Sequence, residues 1–167
     1  ADILNYKARL EQYHPGLYRY NSQSATDRFF DSLISLVSAP MNLEQVYGLY
    51  TLSSGLVKDG HTILLPPSAA IERYNATGSF LPFQPGISGD TMYVRQAWSQ
   101  EAPFQEGTLI TSINGVPAAA LIGQLRSRQV RDGLQTAYAD WILDHYFKEY
   151  YGFVFGHPSS YTIAYEM

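Results

Sequence analysis

The sequence predicts an α+β fold, with a small helical region over 1–60 and a β-rich region with inserted helices over 61–167. Three observations carry that expectation. Apolar residues recur at helical spacing through the first sixty positions. Alternation with a period of two appears around Met92 to Gln96, and an amphipathic run returns between Gly133 and Tyr151. At 167 residues, 46% hydrophobic and only 16% charged, the chain has ample material for a buried core. That length suits one ordinary domain or two small ones sharing an interface.

Ile3 to Tyr13 reads as the first helix, closed by His14-Pro15-Gly16, where proline and glycine both disfavour continuation. Ser24-Ala25-Thr26-Asp27 has the form of a capping box for a second helix. Its apolar stripe is Phe29, Phe30, Leu33, Ile34 and Val37, and Pro40 ends it. Asn42 is placed to cap a third, whose apolar face runs Val46, Leu49, Tyr50, Leu52 and Leu56.

After Asp59-Gly60 the composition changes. His61 to Leu65 reads as a short buried strand stopped by Pro66-Pro67, and Ala70 to Asn75 as a second. A third run falls around Leu81 to Gln84. Gly86-Ile87-Ser88-Gly89-Asp90 reads as a hairpin turn leading into Met92 to Gln96. Leu109 to Ile113 is a further strand ended by Asn114-Gly115, with a helix over Val116 to Leu125 that Pro117 helps to start. In the long run after Gly133, Leu134, Tyr138, Trp141, Ile142 and His145 share one face. Gly152 and Gly156-His157-Pro158 break it before a final alternating strand.

Several function classes are disfavoured at once. A formal net charge of −4 argues against a phosphate-binding surface, so nucleic acid is not an expected partner. The absence of cysteine excludes disulfide frameworks and thiolate zinc sites. No apolar stretch approaches the ~20 residues that span a bilayer, so no membrane-spanning segment is expected. The chain opens at Ala1 without a methionine and ends on an alternating run, Ser160 to Met167. The expectation is a segment of a longer protein: either a leader is gone or the segment starts inside a longer gene.

Of four histidines, His14, His61, His145 and His157, none has metal-ligand spacing, so neither a metal nor a cofactor is expected. His14 reads as a helix C-terminal cap, His145 as a core histidine on the apolar face of the long helix, and His157 as a turn residue. His61 differs by its neighbourhood. In Lys58-Asp59-Gly60-His61-Thr62 the imidazole follows a flexible glycine, and a positioned imidazole titrates in the range a general base needs. A loop histidine is more often structural, and Asp59 could orient it only if a turn folds it back.

No serine nucleophile is evident. Gly86-Ile87-Ser88-Gly89-Asp90 misses the nucleophile-elbow pattern at its last position, and strands flank it on both sides. Ser53 and Ser54 do not have Ser-x-x-Lys spacing to Lys58. Glu101 and Glu106 flank a loop, and Asp140 and Asp144 read as a solvated helix face. Tyr146, Phe147, Tyr150, Tyr151, Phe153 and Phe155 read as core with a partly covered flank. Asn75-Ala76-Thr77 matches the glycosylation sequon, a pattern common by chance.

The order His14-Pro15-Gly16-Leu17-Tyr18-Arg19-Tyr20, Lys58-Asp59-Gly60-His61-Thr62 and Ile110-Thr111-Ser112-Ile113-Asn114-Gly115-Val116-Pro117 resembles the tail-specific, or C-terminal-processing, serine peptidase family. The likeness is strongest to its tricorn-type branch. Gly156-His157-Pro158-Ser159-Ser160-Tyr161-Thr162-Ile163 is similar to the last strand of that branch's PDZ-like domain. The resemblance implies a helical bundle, then a PDZ-like domain, then an α/β catalytic domain that lies outside this sequence and supplies serine and glutamate. It implies His61 as general base, and leaves open a Ser-Lys arrangement in which that histidine is dispensable. It also implies an extended polypeptide substrate, contact with the protein's own catalytic domain, and a periplasmic, cell-surface or secreted location.

A PDZ-like domain captures an extended peptide between a strand edge and a helix. The implied walls are the strand near Leu81 and Phe83 and the helix carrying Leu121 and Leu125. The Gly-Leu-Gly-Phe carboxylate loop is absent, so a docking role is the equal alternative. The rival function is a stand-alone peptide- or protein-binding module with no enzymatic activity. A third, carbohydrate or envelope interaction through exposed tyrosines, rests on composition alone.

Overall fold

The structure, a computed structural model, describes residues 2–77, 80–98 and 103–166. The fold is α+β. Four helices come first: α1 (Asp2–Tyr13), α2 (Gln23–Ser35), α3 (Leu43–Tyr50) and α4 (Leu52–Val57). Helix α5 (Ser68–Thr77) then precedes strands β1 (Phe83–Ser88), β2 (Thr91–Ala97), β3 (Leu109–Ile113) and β4 (Val116–Pro117). Helices α6 (Ala118–Ser127) and α7 (Ala137–Phe155) follow, and β5 (Ile163–Glu166) closes the described chain.

The sheet is antiparallel throughout. β1 pairs with β2 through a two-residue turn at Gly89-Asp90, and β2 pairs with the start of β3. β5 runs along the whole of β3, so β2 and β4 share the opposite edge. The β3–β4 turn is Asn114-Gly115, with φ of 51° and 78°, the left-handed pair that a tight hairpin needs. Asn114 also binds across the sheet, its amide donating to the Thr162 carbonyl and its Oδ1 accepting from the Thr162 amide.

Two apolar cores result. The first lies among α1 to α4 and centres on Leu10, Leu17, Phe30, Leu33 and Val57. The second lies between the sheet and α6–α7, with Phe83, Met92, Val94, Ile113, Leu121, Leu125, Leu143 and Phe147. A small cluster of Tyr47, Ala70 and Phe153 bridges them. The helices cross closely at this seam. A Cβ on Gly48 would come within 2.9 Å of the Phe153 carbonyl oxygen, and one on Gly55 within 2.7 Å of the Ser127 oxygen. Arg128 reaches over the seam and donates to the Gly48 carbonyl at 2.5 Å; desolvation lowers its pKa.

Several local expectations are corrected. The segment 70–75 lies in α5 and not in a strand: Pro67 stands just before its first turn and Ala69, Ala70, Glu72 and Arg73 are helix formers. His61 to Leu65 forms no strand, because nothing pairs with it among the described residues. The second helix is capped by Ser22, whose side chain accepts from the Ala25 amide, and not at Ser24. Asn42 does cap α3, in a reciprocal capping box with Gln45, but Thr51 divides the predicted third helix into α3 and α4. Gly86 to Ser88 belong to β1, leaving only Gly89-Asp90 as the turn. Val116 and Pro117 form β4, so α6 starts at Ala118. Glu101 lies outside the described residues.

Helix α7 presents a different face from the predicted one. Its buried side is Ala139, Leu143, Phe147 and Tyr151, spaced by four. Tyr138, Trp141 and His145 lie outward and stack on one another, with Trp141 and His145 ring centroids 4.4 Å apart. His145 is thus a surface histidine whose Nδ1 donates to the Trp141 carbonyl at 2.8 Å. Leu134 is exposed and precedes the helix.

Candidate functional site

The loop after α1 and the loop after α4 meet over one cavity of about 790 Å³. The first contributes His14, Tyr18, Arg19 and Tyr20, the second Lys58, Asp59 and His61. Two motifs distant in sequence therefore share a wall. Leu17 and Val57, both buried, anchor the two loops to the helical core beneath.

Asp59 is the centre of the arrangement. Its Oδ1 accepts the backbone amide of His61 at 2.9 Å, and the Thr62 amide donates to its carbonyl at 3.1 Å, so residues 59–62 form a side-chain-closed turn. That turn brings His61 Nδ1 to 3.5 Å from the same Oδ1. The other oxygen, Oδ2, lies 2.9 Å from Nε2 of His14. This second contact is short, but the N–H direction is out of line for a well-formed hydrogen bond. The His14 ring is fixed from its other side, where Nδ1 accepts the Gly16 amide at 3.1 Å.

The two imidazoles differ in setting. The His14 side chain is 7% exposed and the His61 side chain 96% exposed. Asp59 is held below the usual carboxylate range, chiefly by the His61 amide and then, against some cost from burial, by the neighbouring imidazoles. A carboxylate that stays ionised beside an exposed imidazole can hold its tautomer and steady its protonated form. That is the chemistry a general base requires. Sequence reasoning singled out His61 and left Asp59 conditional on a turn; the turn exists. His14 was read as a helix cap, and no local signal shows that its ring faces Asp59.

The expected peptide-groove residues lie elsewhere. Leu81, Phe83, Leu121 and Leu125 are all buried in the sheet core. Helix α7, rather than α6, lies against β1. Asp144 on α7 accepts the Ile87 amide at 3.0 Å and pairs with Arg95, and Pro85 brings no N–H to that strand. The margin at β1 is thereby closed to an added strand. Asp144 and Asp140 are not a merely solvated face: burial works against the charge of Asp144, but Arg95 and the Ile87 amide hold it below the usual range, and Asp140 pairs with Arg126 at 2.5 Å.

Ser53 and Ser54 are buried on α4, where Ser53 donates to the Tyr50 carbonyl, and Ser88 ends β1. Among the described residues no group of three or more His, Cys, Asp or Glu is arranged to hold a metal ion, and no helix is long and apolar enough to cross a membrane. No family model, curated protein or solved structure matches the chain.

Proposed function

We propose that this chain is the leading part of a serine-type peptidase similar to the tail-specific family, in which His61 serves as general base and Asp59 orients it. The nucleophilic serine and the rest of the catalytic machinery would come from chain outside these residues. The observation that supports this reading most is the meeting of His14, Asp59 and His61 at one cavity, with the outer imidazole exposed. With Nδ1 turned towards Asp59, Nε2 is the nitrogen left to meet a hydroxyl.

The chemistry then follows the triad template. Nε2 takes the serine proton as the oxygen attacks the peptide carbonyl, and returns it to the leaving amine when the C–N bond breaks. Asp59 stays ionised throughout and offsets the imidazolium charge. The β-rich part acts as a docking or peptide-binding module beside the site. A periplasmic, cell-surface or secreted location belongs to the same reading and rests on the sequence resemblance.

A serine-directed fluorophosphonate tests the reading on the protein carrying its natural flanking sequence. We expect one labelled serine, located outside residues 1–167, and no labelling of residues 1–167 expressed alone. Labelling of a serine within residues 1–167, or none in the longer protein, would overturn it.

The alternative is a peptide-binding module with no activity of its own. One observation favours keeping it: the outer edge of β5 pairs with no strand among the described residues, so an extended segment could add there. Absence of labelling together with saturable binding of unstructured peptides would select this second reading.

A further inference from the structure

We infer that Asp132 and Gly133, in the connection between α6 and α7, are positioning residues for the loop that carries Asp59 and His61. Two hydrogen bonds run in opposite directions between these segments. The Gly60 amide donates to Asp132 Oδ1 at 2.9 Å, and the Gly133 amide donates to the Lys58 carbonyl at 2.9 Å. They bracket Asp59 on both sides.

The backbone is shaped for this clasp. Lys58 ends α4 in the left-handed region at φ 53°, and Gly133 has φ 58°. A Cβ on Gly60 would stand 2.8 Å from one Asp132 oxygen and 2.9 Å from the other, so a side chain here would push the carboxylate aside and out of the clasp. A free glycine at the middle of the 59–62 turn would give the loop many conformations in which the His61 amide leaves Asp59. Binding its amide removes them. The anchor itself is firm, because Gln129 and Val130, just before the clasp, are buried beside α6. The sheet half thus sets the geometry of a site whose histidines both come from the helical half and its following loop.

The inference deepens the proposed function and rests on it for its importance, but its test needs no activity. The Asp59 carboxyl titration and exchange of the Gly60 amide are followed by NMR in residues 1–167, for Asp132→Ala and Asp132→Asn. The charged and titratable groups lining the cavity with Asp59 are His14, His61, Lys58, Arg19, Glu11, Asp132, Tyr18 and Tyr20. Removing the Asp132 charge alone would lower the Asp59 pKa, since one negative neighbour is lost. Releasing the loop would raise it, since the His61 amide opens. The two effects have opposite signs.

We expect Asp132→Ala to raise the Asp59 pKa towards the ordinary value of about 4 and to speed Gly60 exchange about tenfold. Asp132→Asn keeps an acceptor oxygen and should leave Gly60 protected and Asp59 low. If Asp132→Ala fails to fold, Asp132→Ser, too short to reach Gly60, makes the same comparison. An unchanged Gly60 exchange rate, a fall in the Asp59 pKa, or equal effects in the alanine and asparagine variants would each overturn the assignment.

Discussion

Asp59 gains its hydrogen bond from the His61 amide only in the folded chain, and its carboxyl pKa is depressed there. A depressed folded pKa contributes stability that is present above the unfolded value, about 4, and is lost as pH falls through the folded value. The stabilisation of the wild type over Asp59→Asn should therefore shrink as pH falls below about 4 through the folded value. Urea titrations at several pH values check this; a difference that grows as pH falls below about 4 would contradict it. At this scale the site was half legible. His61 stands out because Asp-Gly precedes it, but the contact of His14 with Asp59 depends on how α1 and α4 pack, which no local pattern encodes.

Among the elements, α7 shows most clearly how packing overrides pattern. Its sequence is apolar on more than one face, so periodicity alone allows either Trp141 or Leu143 to point inward. The sheet takes Leu143 and Phe147, and leaves Trp141 in a surface stack with Tyr138 and His145. Leu143→Ala should cost about 2–5 kcal/mol of unfolding free energy, and Trp141→Ala less, about 0.5–1.5 kcal/mol for its surface ring stack. Chemical denaturation separates the two, and the reverse ranking would mean the helix is turned the other way. The turn at Asn114-Gly115 was legible because its left-handed backbone demands those residues, but the strand after it, β4, was read as the start of a helix. The helix over Ser68–Thr77 was not, since a short run holding Ile71 and Tyr74 suits a strand equally until its context is known.

Across the whole molecule, the α+β class was readable from periodicity, whereas the seam between the two cores was not. That seam depends on Gly48 and Gly55, ordinary helix positions in sequence that become points of backbone approach only when α7 and α6 are in place. It also sets the helical half, with His14 and Asp59, against the half that carries Asp132. In the proposed reading, His61 is the general base of a peptidase completed by chain outside these residues. Peptide hydrolysis by the protein with its natural flanking sequence, compared with its His61→Ala variant, tests it most directly. We predict that the substitution lowers kcat/KM by about 10²–10⁴-fold, with near-neutral pH optimum lost and folding unchanged by circular dichroism. Full activity in the folded His61→Ala protein would contradict the account.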